Sequence, residues 1–178
     1  MELYQLAQSE LIRSNADRRH PFRYFYLATM GTFPEVRTVV KRNIDLDWNL
    51  LFFTDARSPK VEQIKANPNV SALFYHPKKK LQIRMNGHAQ IIHDHEDDFD
   101  QWLQQVKQSK TLKDYTTTIA PGSAINDGFE ISYGDAIHFL PIKIEPLHLD
   151  ILQLFTTQHK RSAYNKEGAI WKETTLVP

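Results

Sequence analysis

The chain has 178 residues, of which 41% are apolar and 24% are charged, a composition typical of a folded globular protein rather than a disordered one. It carries 22 lysine and arginine residues against 21 aspartate and glutamate residues, so its net charge of +1 gives no overall attraction for nucleic acid or an anionic membrane. The absence of cysteine excludes disulfides, thiolate metal ligands and cysteine nucleophiles.

Length and hydropathy predict a single domain over residues 1–178. No segment approaches the ~18 apolar residues that a membrane helix needs. The amino terminus lacks a basic region followed by an apolar stretch, so we expect no secretory signal. We therefore expect a cytoplasmic protein with neither a membrane nor a nucleic-acid partner.

Hydrophobic spacing and the positions of glycine and proline predict the elements along the chain. The predicted helices cover residues 2–18, 58–66 and 95–108. The predicted strands cover residues 22–30, 36–44, 50–54, 70–75 and 81–92, the last interrupted at Gly87, with a further strand or pair over 137–149. Residues 110–134 show no regular pattern. The tail from residue 151 is interpreted as a surface loop with a core tryptophan, Trp171.

The connections predict how these strands are arranged. Most are short turns, and the helix between the third and fourth strands is too brief to cover a parallel sheet. The pattern therefore favours an α+β protein with a mostly antiparallel sheet or barrel and helices packed at its ends.

Cations occur on both faces of the strand that contains Arg37 to Arg42. Because side chains alternate along a strand, Arg37 and Lys41 share one face and Arg42 lies on the other. The planar fork of arginine matches a phosphate or a carboxylate. The alternative is an edge strand with solvated charges.

Residues Thr54 to Lys60 join a strand to the amino end of a helix. Free backbone N–H groups and the helix dipole favour an anion there, and Thr54 and Ser58 add hydroxyls. Lys60 in the first turn is unfavourable unless an anion is bound. The alternative is a capped helix with a solvated lysine.

Two further charged stretches favour simpler interpretations. The run His93 to Asp98 could supply metal ligands, but acidic residues also suit the start of a helix, and no other ligand lies at a fixed spacing. We therefore expect no metal site. Lys78 to Lys80 are interpreted as a solvated hairpin tip.

Taken together, several stretches resemble the pyridoxamine 5′-phosphate oxidase family of FMN-binding split barrels, from about Phe22 to Pro178. The most specific of these stretches extends from Leu51 to Phe74, with the strand Arg37–Arg42 before it and Leu81–Gly87 after it. Arg161, Trp171 and the end Leu176-Val-Pro178 match the carboxyl-terminal pattern. The resemblance implies a six-stranded antiparallel split β-barrel with flanking helices, a homodimer with FMN at the subunit interface, and oxidoreductase activity on a small molecule.

The resemblance also implies which residues bind the cofactor. These are Arg37, Thr38, Val39, Val40, Arg42, Phe53, Thr54, Ser58, Lys60, Gln82 and Arg161. Arg37 and Lys60 would hold the FMN phosphate with help from Thr54 and Ser58, and Gln82 and Arg161 would come from the second subunit. Arg42 and His159 would face the substrate, while no catalytic residue is assigned.

Three departures separate the chain from the vitamin B6 enzyme of this family. Pro59 stands where that enzyme has a second phosphate-binding arginine, Leu147 stands near the position of a flavin-contacting tryptophan, and Thr157 stands where it has an arginine for the B6 substrate. Oxidation of pyridoxamine or pyridoxine 5′-phosphate therefore stays an alternative function. A barrel that carries or senses flavin or haem without catalysis is another, and a domain without a ligand is the simplest.

Overall fold

The computed structural model describes residues 2–96 and 98–178, which form eight strands and three α-helices. The strands are β1 (Tyr24–Met30), β2 (Pro34–Ile44), β3 (Leu50–Asp55), β4 (Asn69–His76), β5 (Leu81–Ile91), β6 (Phe139–Gln153), β7 (Lys160–Glu167) and β8 (Ile170–Leu176). The helices are α1 (Glu2–Ala16), α2 (Pro59–Ala66) and α3 (Phe99–Lys107), and 3-10 turns occupy Pro21–Arg23 and Lys110–Tyr115. None of the helices in these two ranges is long and apolar enough to cross a membrane.

Six strands close into an antiparallel barrel. Their hydrogen-bonded order is β3-β2-β1-β4-β5-β6, and pairing of β3 with β6 closes the ring. The first part of the long strand β6 pairs with β3, and its second part pairs with β7, from which β8 continues the sheet. The predicted six-stranded antiparallel barrel is confirmed.

Alternating apolar residues of the barrel strands fill its interior. Phe25, Phe52, Phe74 and Met85 are essentially inaccessible to solvent there. Helix α1 packs against this core through a stripe of apolar residues at helical spacing, namely Leu3, Ala7 and Leu11. A second apolar cluster joins α3 and the Lys110–Tyr115 turn to the start of β6. This cluster positions Tyr115 beside β3.

Gly87 lies at a bulge in the pairing of β5 with β6. The register of the two strands shifts between Asn86 and Gly87. A Cβ atom at Gly87 would lie 2.1 Å from the carbonyl oxygen of Glu145, so the close approach of the two backbones requires glycine. The strand predicted to be interrupted here in fact continues through the bulge.

Several predicted elements differ from the structure, among them the strand or pair predicted over 137–149, which is one strand from Phe139 to Gln153. Helix α1 ends at Ala16 rather than at residue 18, and α3 begins at Phe99 rather than at residue 95. Asp97, part of the predicted helix and of the possible metal run, lies outside the described residues. The interpretation of the tail as a surface loop is wrong, because β7 and β8 form an antiparallel hairpin that pairs with β6.

Candidate functional site

An open cleft, here called the α2 cleft, lies between β2, β3, the amino end of α2 and residues 114–121. Its empty volume, including the part open to solvent, is about 680 Å³. Nine of the eleven predicted cofactor residues line it: Arg37, Thr38, Val39, Val40, Arg42, Phe53, Thr54, Ser58 and Lys60. The remaining lining comes from Phe52, Asp55, Asp114, Tyr115 and Pro121.

Hydroxyls and a lysine meet at the amino end of α2. The Nζ atom of Lys60 donates to Oγ1 of Thr54 over 3.0 Å, and this hydroxyl lies 3.3 Å from Oγ of Ser58. Ser58 occupies the position before the first turn of α2, yet its side chain makes no capping hydrogen bond. Its hydroxyl therefore remains available to an anion at the helix end.

The charge of Lys60 has no counter-ion in the described ranges 2–96 and 98–178. Burial and the nearby Arg37 guanidinium lower the pKa of Lys60, while Asp55 acts in the opposite direction. The Asp55 carboxylate is already bound by Arg57, whose Nη2 lies 2.7 Å from Oδ2. The α2 cleft therefore presents two neighbouring cations, which an anion between them would stabilise.

Arg37 is held in place from several directions. Its Nη2 lies 3.0 Å from Oε2 of Glu35 and 3.2 Å from Oε1 of Gln63 in α2, and its Nη1 donates to the hydroxyl of Thr29. These contacts restrict the guanidinium to the wall of the cleft. Its single ion-pair partner among the described residues, Glu35, is about half exposed.

Arg42 and Tyr115 form the opposite end of the cleft. Nη2 of Arg42 lies 3.4 Å from the phenol oxygen of Tyr115, and the guanidinium lies 5.2 Å from the centre of the Phe53 ring. Its Nε atom is buried and has no hydrogen-bond partner among the described residues. Burial raises the pKa of Tyr115, with Arg42 opposing the shift. Tyr115 could not be predicted as a site residue, because residues 110–134 show no periodic pattern.

Gln82, Arg161 and His159 lie outside the α2 cleft. Gln82 is on β5, and the Arg161 guanidinium on β7 is bound to the buried Asp150, with Nε 3.0 Å from Oδ1. The hydrogen bonds from Arg161 hold the pKa of Asp150 below its usual range. His159 lines another cleft, near the carboxyl terminus, and its Nδ1 accepts a hydrogen bond from the backbone of Phe155. Arg42 and His159 are therefore not brought together within one chain.

A buried cluster of Glu10, His20 and His76 lies away from this cleft, and its spacing in sequence gave no signal. The three ligand atoms lie within 4.8 Å of one another, as metal ligands would. However, Nδ1 of each histidine accepts a backbone N–H, from Phe22 at 3.1 Å and Lys79 at 3.3 Å. Each Nε2 therefore carries the ring proton. Nε2 of His20 lies 3.2 Å from Oε2 of Glu10, within hydrogen-bond distance, and Nε2 of His76 lies 3.7 Å from the same oxygen, so the cluster is a buried carboxylate faced by two histidines and not a set of free metal ligands.

Comparison with known proteins agrees with this architecture. The family model described as pyridoxamine 5′-phosphate oxidase, FMN-binding domain, matches residues 3–93. A pyridoxine/pyridoxamine 5′-phosphate oxidase from Thermosynechococcus vestitus is 26% identical over 170 residues, which cover 85% of this chain and 77% of that protein. One from Psychrobacter cryohalolentis is 36% identical over 88 residues, covering 48% and 39%.

Two crystal structures share the fold over nearly the whole chain. A pyridoxamine 5′-phosphate oxidase-related, FMN binding protein from Nostoc punctiforme has a TM-score of 0.76 at 24% identity, covering 98% of this chain and 97% of that chain. PhzG from Burkholderia lata, in complex with tetrahydrophenazine-1-carboxylic acid, has a TM-score of 0.75 at 20% identity, covering 98% and 92%. At these identities the likeness shows the fold alone. The match of the family model over half of the sequence places the chain in the pyridoxamine 5′-phosphate oxidase FMN-binding-domain family.

Proposed function

We propose that this chain is an FMN-dependent oxidoreductase that acts on a small molecule, and that it works as a homodimer with one flavin at each subunit interface. The observation that carries the proposal is Lys60. It is a partly buried cation without a carboxylate partner in the described ranges, beside a second cation and two hydroxyls at a helix end. A phosphate dianion is the ligand that satisfies such a set.

The donors of the α2 cleft fit FMN. Lys60, Arg37, Thr54 and Ser58 would bind the phosphate, and the Thr38–Val40 segment of β2 would lie along the flavin. Arg42 has a buried Nε without a partner in the described residues, and this donor would face the far end of the cofactor. Bound FMN would supply the redox chemistry, whereas the chain supplies binding, orientation and charge.

The outer face of the barrel supports the dimer. Tyr24 and Tyr26 of β1 and Tyr75 of β4 are each about half exposed on this face. The pairing register places Gln82 beside Tyr75, and Arg161 two strands further along the sheet. Exposed aromatic residues on a sheet face are typical of a protein interface. A second copy seated here would bring Gln82 and Arg161 to its partner's cleft.

The proposal is tested by measuring FMN binding. The purified protein should show a flavin absorption spectrum, or should bind added FMN and quench its fluorescence. Lys60→Ala and Arg37→Ala should each weaken binding about ten-fold or more, because each removes a charge-assisted contact to the phosphate. Lys65→Ala, on the exposed side of the same helix, is the matched control. A protein that takes up no FMN would overturn the proposal.

Oxidation of pyridoxamine 5′-phosphate is a second candidate. It is favoured by the similarity to the Thermosynechococcus oxidase over 85% of the chain. Pro59 and Thr157 argue against it, because each stands where the family enzyme uses an arginine. Release of hydrogen peroxide with that substrate would support it. If NADH, NADPH and every substrate tested fail to reduce the bound flavin, this result would instead favour a flavin carrier.

A further inference from the structure

The Glu10 cluster, made of Glu10, His20 and His76, joins three parts of the chain that lie far apart in the sequence. Glu10 is on α1, His20 precedes β1, and His76 is the last residue of β4. Their side chains are each at most 7% exposed. Nζ of Lys79 and Nη1 of Arg13 also face Glu10, each 3.5 Å from Oε1. A further proton on a histidine therefore adds a third positive charge beside this buried carboxylate.

The ring of His76 stabilises the turn between β4 and β5, residues 77–80, here called the 77–80 turn. Its Nδ1 accepts the N–H of Lys79 over 3.3 Å. Within the turn, the Lys80 N–H donates to the Pro77 carbonyl over 3.3 Å, and Lys80 has a φ of 49°. This left-handed conformation is unfavourable for a residue with a side chain. The hydrogen bond to His76 therefore offsets part of the strain in the turn.

The 77–80 turn also holds the chain where β6 ends. The Leu154 N–H donates to the Lys80 carbonyl over 3.1 Å, and Nε2 of Gln153 donates to the Lys79 carbonyl over 3.2 Å. Residues 154–159, here called the 154–159 segment, then lead into β7 and end at His159. Because both hydrogen bonds are to carbonyls of the turn, a change in the turn is transmitted to this segment.

Protonation of His76 removes the acceptor from the turn. In the neutral ring the proton is on Nε2, 3.7 Å from Oε2 of Glu10, and Nδ1 is the acceptor. A second proton has to be placed on Nδ1, which then becomes a donor that faces the donor N–H of Lys79. Burial first, and then the neighbouring His20, lowers the pKa of His76 below 6.5, with Glu10 opposing the shift. The hydrogen bond is therefore lost at mildly acidic pH.

We propose that His76 is a pH-sensitive switch, whose protonation in mild acid opens the 77–80 turn and releases the 154–159 segment while the barrel stays folded. The opening itself requires no cofactor. Its consequence for activity rests on the proposed flavin function, because the segment contains His159 and leads to Arg161, which is proposed to reach the partner's cleft. Mild acid then weakens FMN binding as well, although His76 does not line the α2 cleft.

Native-state hydrogen exchange tests the switch, measured by NMR at about pH 7.5 and about pH 5 and corrected for intrinsic exchange rates. We expect the protection of the Lys79 and Leu154 amides to fall about ten-fold or more at the lower pH, because a hydrogen bond that closes the turn is lost. The Ile83 amide, in the barrel strand β5, should stay protected.

The variant His76→Asn separates protonation from other effects of acid. Oδ1 of asparagine can take the place of Nδ1 as the acceptor for Lys79, but it does not gain a proton in this range. Protection of Leu154 in this variant should therefore not change with pH. His88→Asn, at an exposed position of β5, is the matched control and should behave as the wild type does.

The wild type alone can contradict the switch, so the test stands even if His76→Asn does not fold. Ring ¹⁵N shifts report whether His76 is protonated in the same samples. A protonated His76 with Leu154 still protected would overturn the proposal. A ring that stays neutral at about pH 5, or an equal loss of protection at Ile83, would overturn it too.

FMN titration of the wild type and His76→Asn at both pH values tests the link to the flavin site. The FMN phosphate changes its charge equally for both proteins, so the comparison isolates His76. A loss of affinity in acid that is larger in the wild type supports the link, and equal losses contradict it. If the protein binds no FMN at either pH, the flavin function fails, while hydrogen exchange still decides the switch.

Discussion

The guanidinium of Arg57 binds the carboxylate of Asp55 through two contacts, with Nε 3.0 Å from Oδ1 and Nη2 2.7 Å from Oδ2. Nη2 also donates to the carbonyl of Thr117 over 2.8 Å, which ties the segment after Tyr115 to the end of β3. Asp55 is 4% exposed and is the carboxylate that opposes the lowered pKa of Lys60. Arg57 therefore keeps this carboxylate from neutralising Lys60.

Replacing Arg57 tests this role. In Arg57→Gln, the Asp55 carboxylate loses its partner and can bind Lys60 instead, so we expect FMN affinity to fall about three- to ten-fold, although Arg57 itself does not line the cleft. Fluorescence titration with FMN measures the change. The double variant Asp55→Asn/Arg57→Gln removes the competing charge and should recover affinity. A double variant as weak as the single one would show that Arg57 acts through the 116–121 segment instead.

Mixed dimers test whether Arg161 acts on the partner's cleft. Lys60→Ala and Arg161→Ala should each weaken FMN binding, but a mixture of the two chains forms some dimers in which one site keeps both residues. With random exchange, about half of the dimers are mixed and about one quarter of all sites are intact. Flavin titration of the exchanged mixture should show that this quarter of the sites binds FMN with wild-type affinity. If no such sites appear, Arg161 acts in its own subunit's site or in no site.

The barrel could be predicted because its signals are local. Proline and glycine mark the ends of β1 and β2, and α2 begins at Pro59 as its Ser58-Pro59 start predicted. The grouping of Thr54, Ser58 and Lys60 at the amino end of α2 could also be predicted, since these residues lie within seven positions of the sequence. A strand followed at once by a helix brings such residues together without any long-range contact.

What the sequence did not reveal depends on long-range packing. Most residues of β8 are exposed, so the strand lacks the alternation that identifies a half-buried strand. Tyr115 is positioned at the α2 cleft by long-range packing, with the centre of its ring 5.5 Å from that of Phe139. The contact of Arg57 with Thr117 and the hydrogen bond from Lys41 to Asn15 likewise join residues far apart in the sequence, which a pattern of residue types does not encode.

Gly87 should tolerate no side chain. In Gly87→Ala the new Cβ would lie 2.1 Å from the Glu145 carbonyl oxygen. Because this oxygen belongs to the backbone and cannot rotate away, β5 and β6 must separate. We expect a loss of ~2 kcal/mol or more in the free energy of unfolding, measured by urea denaturation. Gly134→Ala is the control, because its nearest neighbour is a side-chain methyl at 3.7 Å. Equal stability of the two variants would contradict the close approach.

Acid should destabilise the protein through the Glu10 cluster. Burial first, and then the neighbouring His20, lowers the pKa of His76 below 6.5, so the unfolded chain takes up a proton more readily than the folded one. Glu10 is also lowered below 4.5: burial would raise its pKa, but the hydrogen bond from His20 and the charges of Lys79 and Arg13 outweigh this. The stability that each group contributes is therefore present above its unfolded pKa and lost as the pH falls.

The histidine step can be isolated by substitution. In His76→Phe, the decrease in the free energy of unfolding as the pH drops below about 6.5 should be smaller than in the wild type. His88→Phe, at an exposed position of β5, is the matched control and should retain the wild-type slope. Urea denaturation at several pH values measures it, and parallel curves for all three proteins would rule out His76 as the group concerned.

The buried ammonium group of Lys41 should cost stability. Burial lowers its pKa from 10.5 to about 8, a shift equivalent to up to about 3 kcal/mol of unfavourable charge burial at neutral pH. Lys41→Met should therefore raise the free energy of unfolding at pH 7 by ~1–3 kcal/mol in phosphate-free buffer. Between pH 8 and 10.5, Lys41 of the folded wild type has lost its proton while that of the unfolded chain still holds it. The wild type therefore gains stability as the pH rises, and the difference in free energy of unfolding between the two proteins should disappear. Urea denaturation measures both effects, with Lys65→Met as the control. If Lys41→Met is less stable than the wild type and the difference in free energy of unfolding does not vary with pH, the ammonium group is not a buried, uncompensated charge.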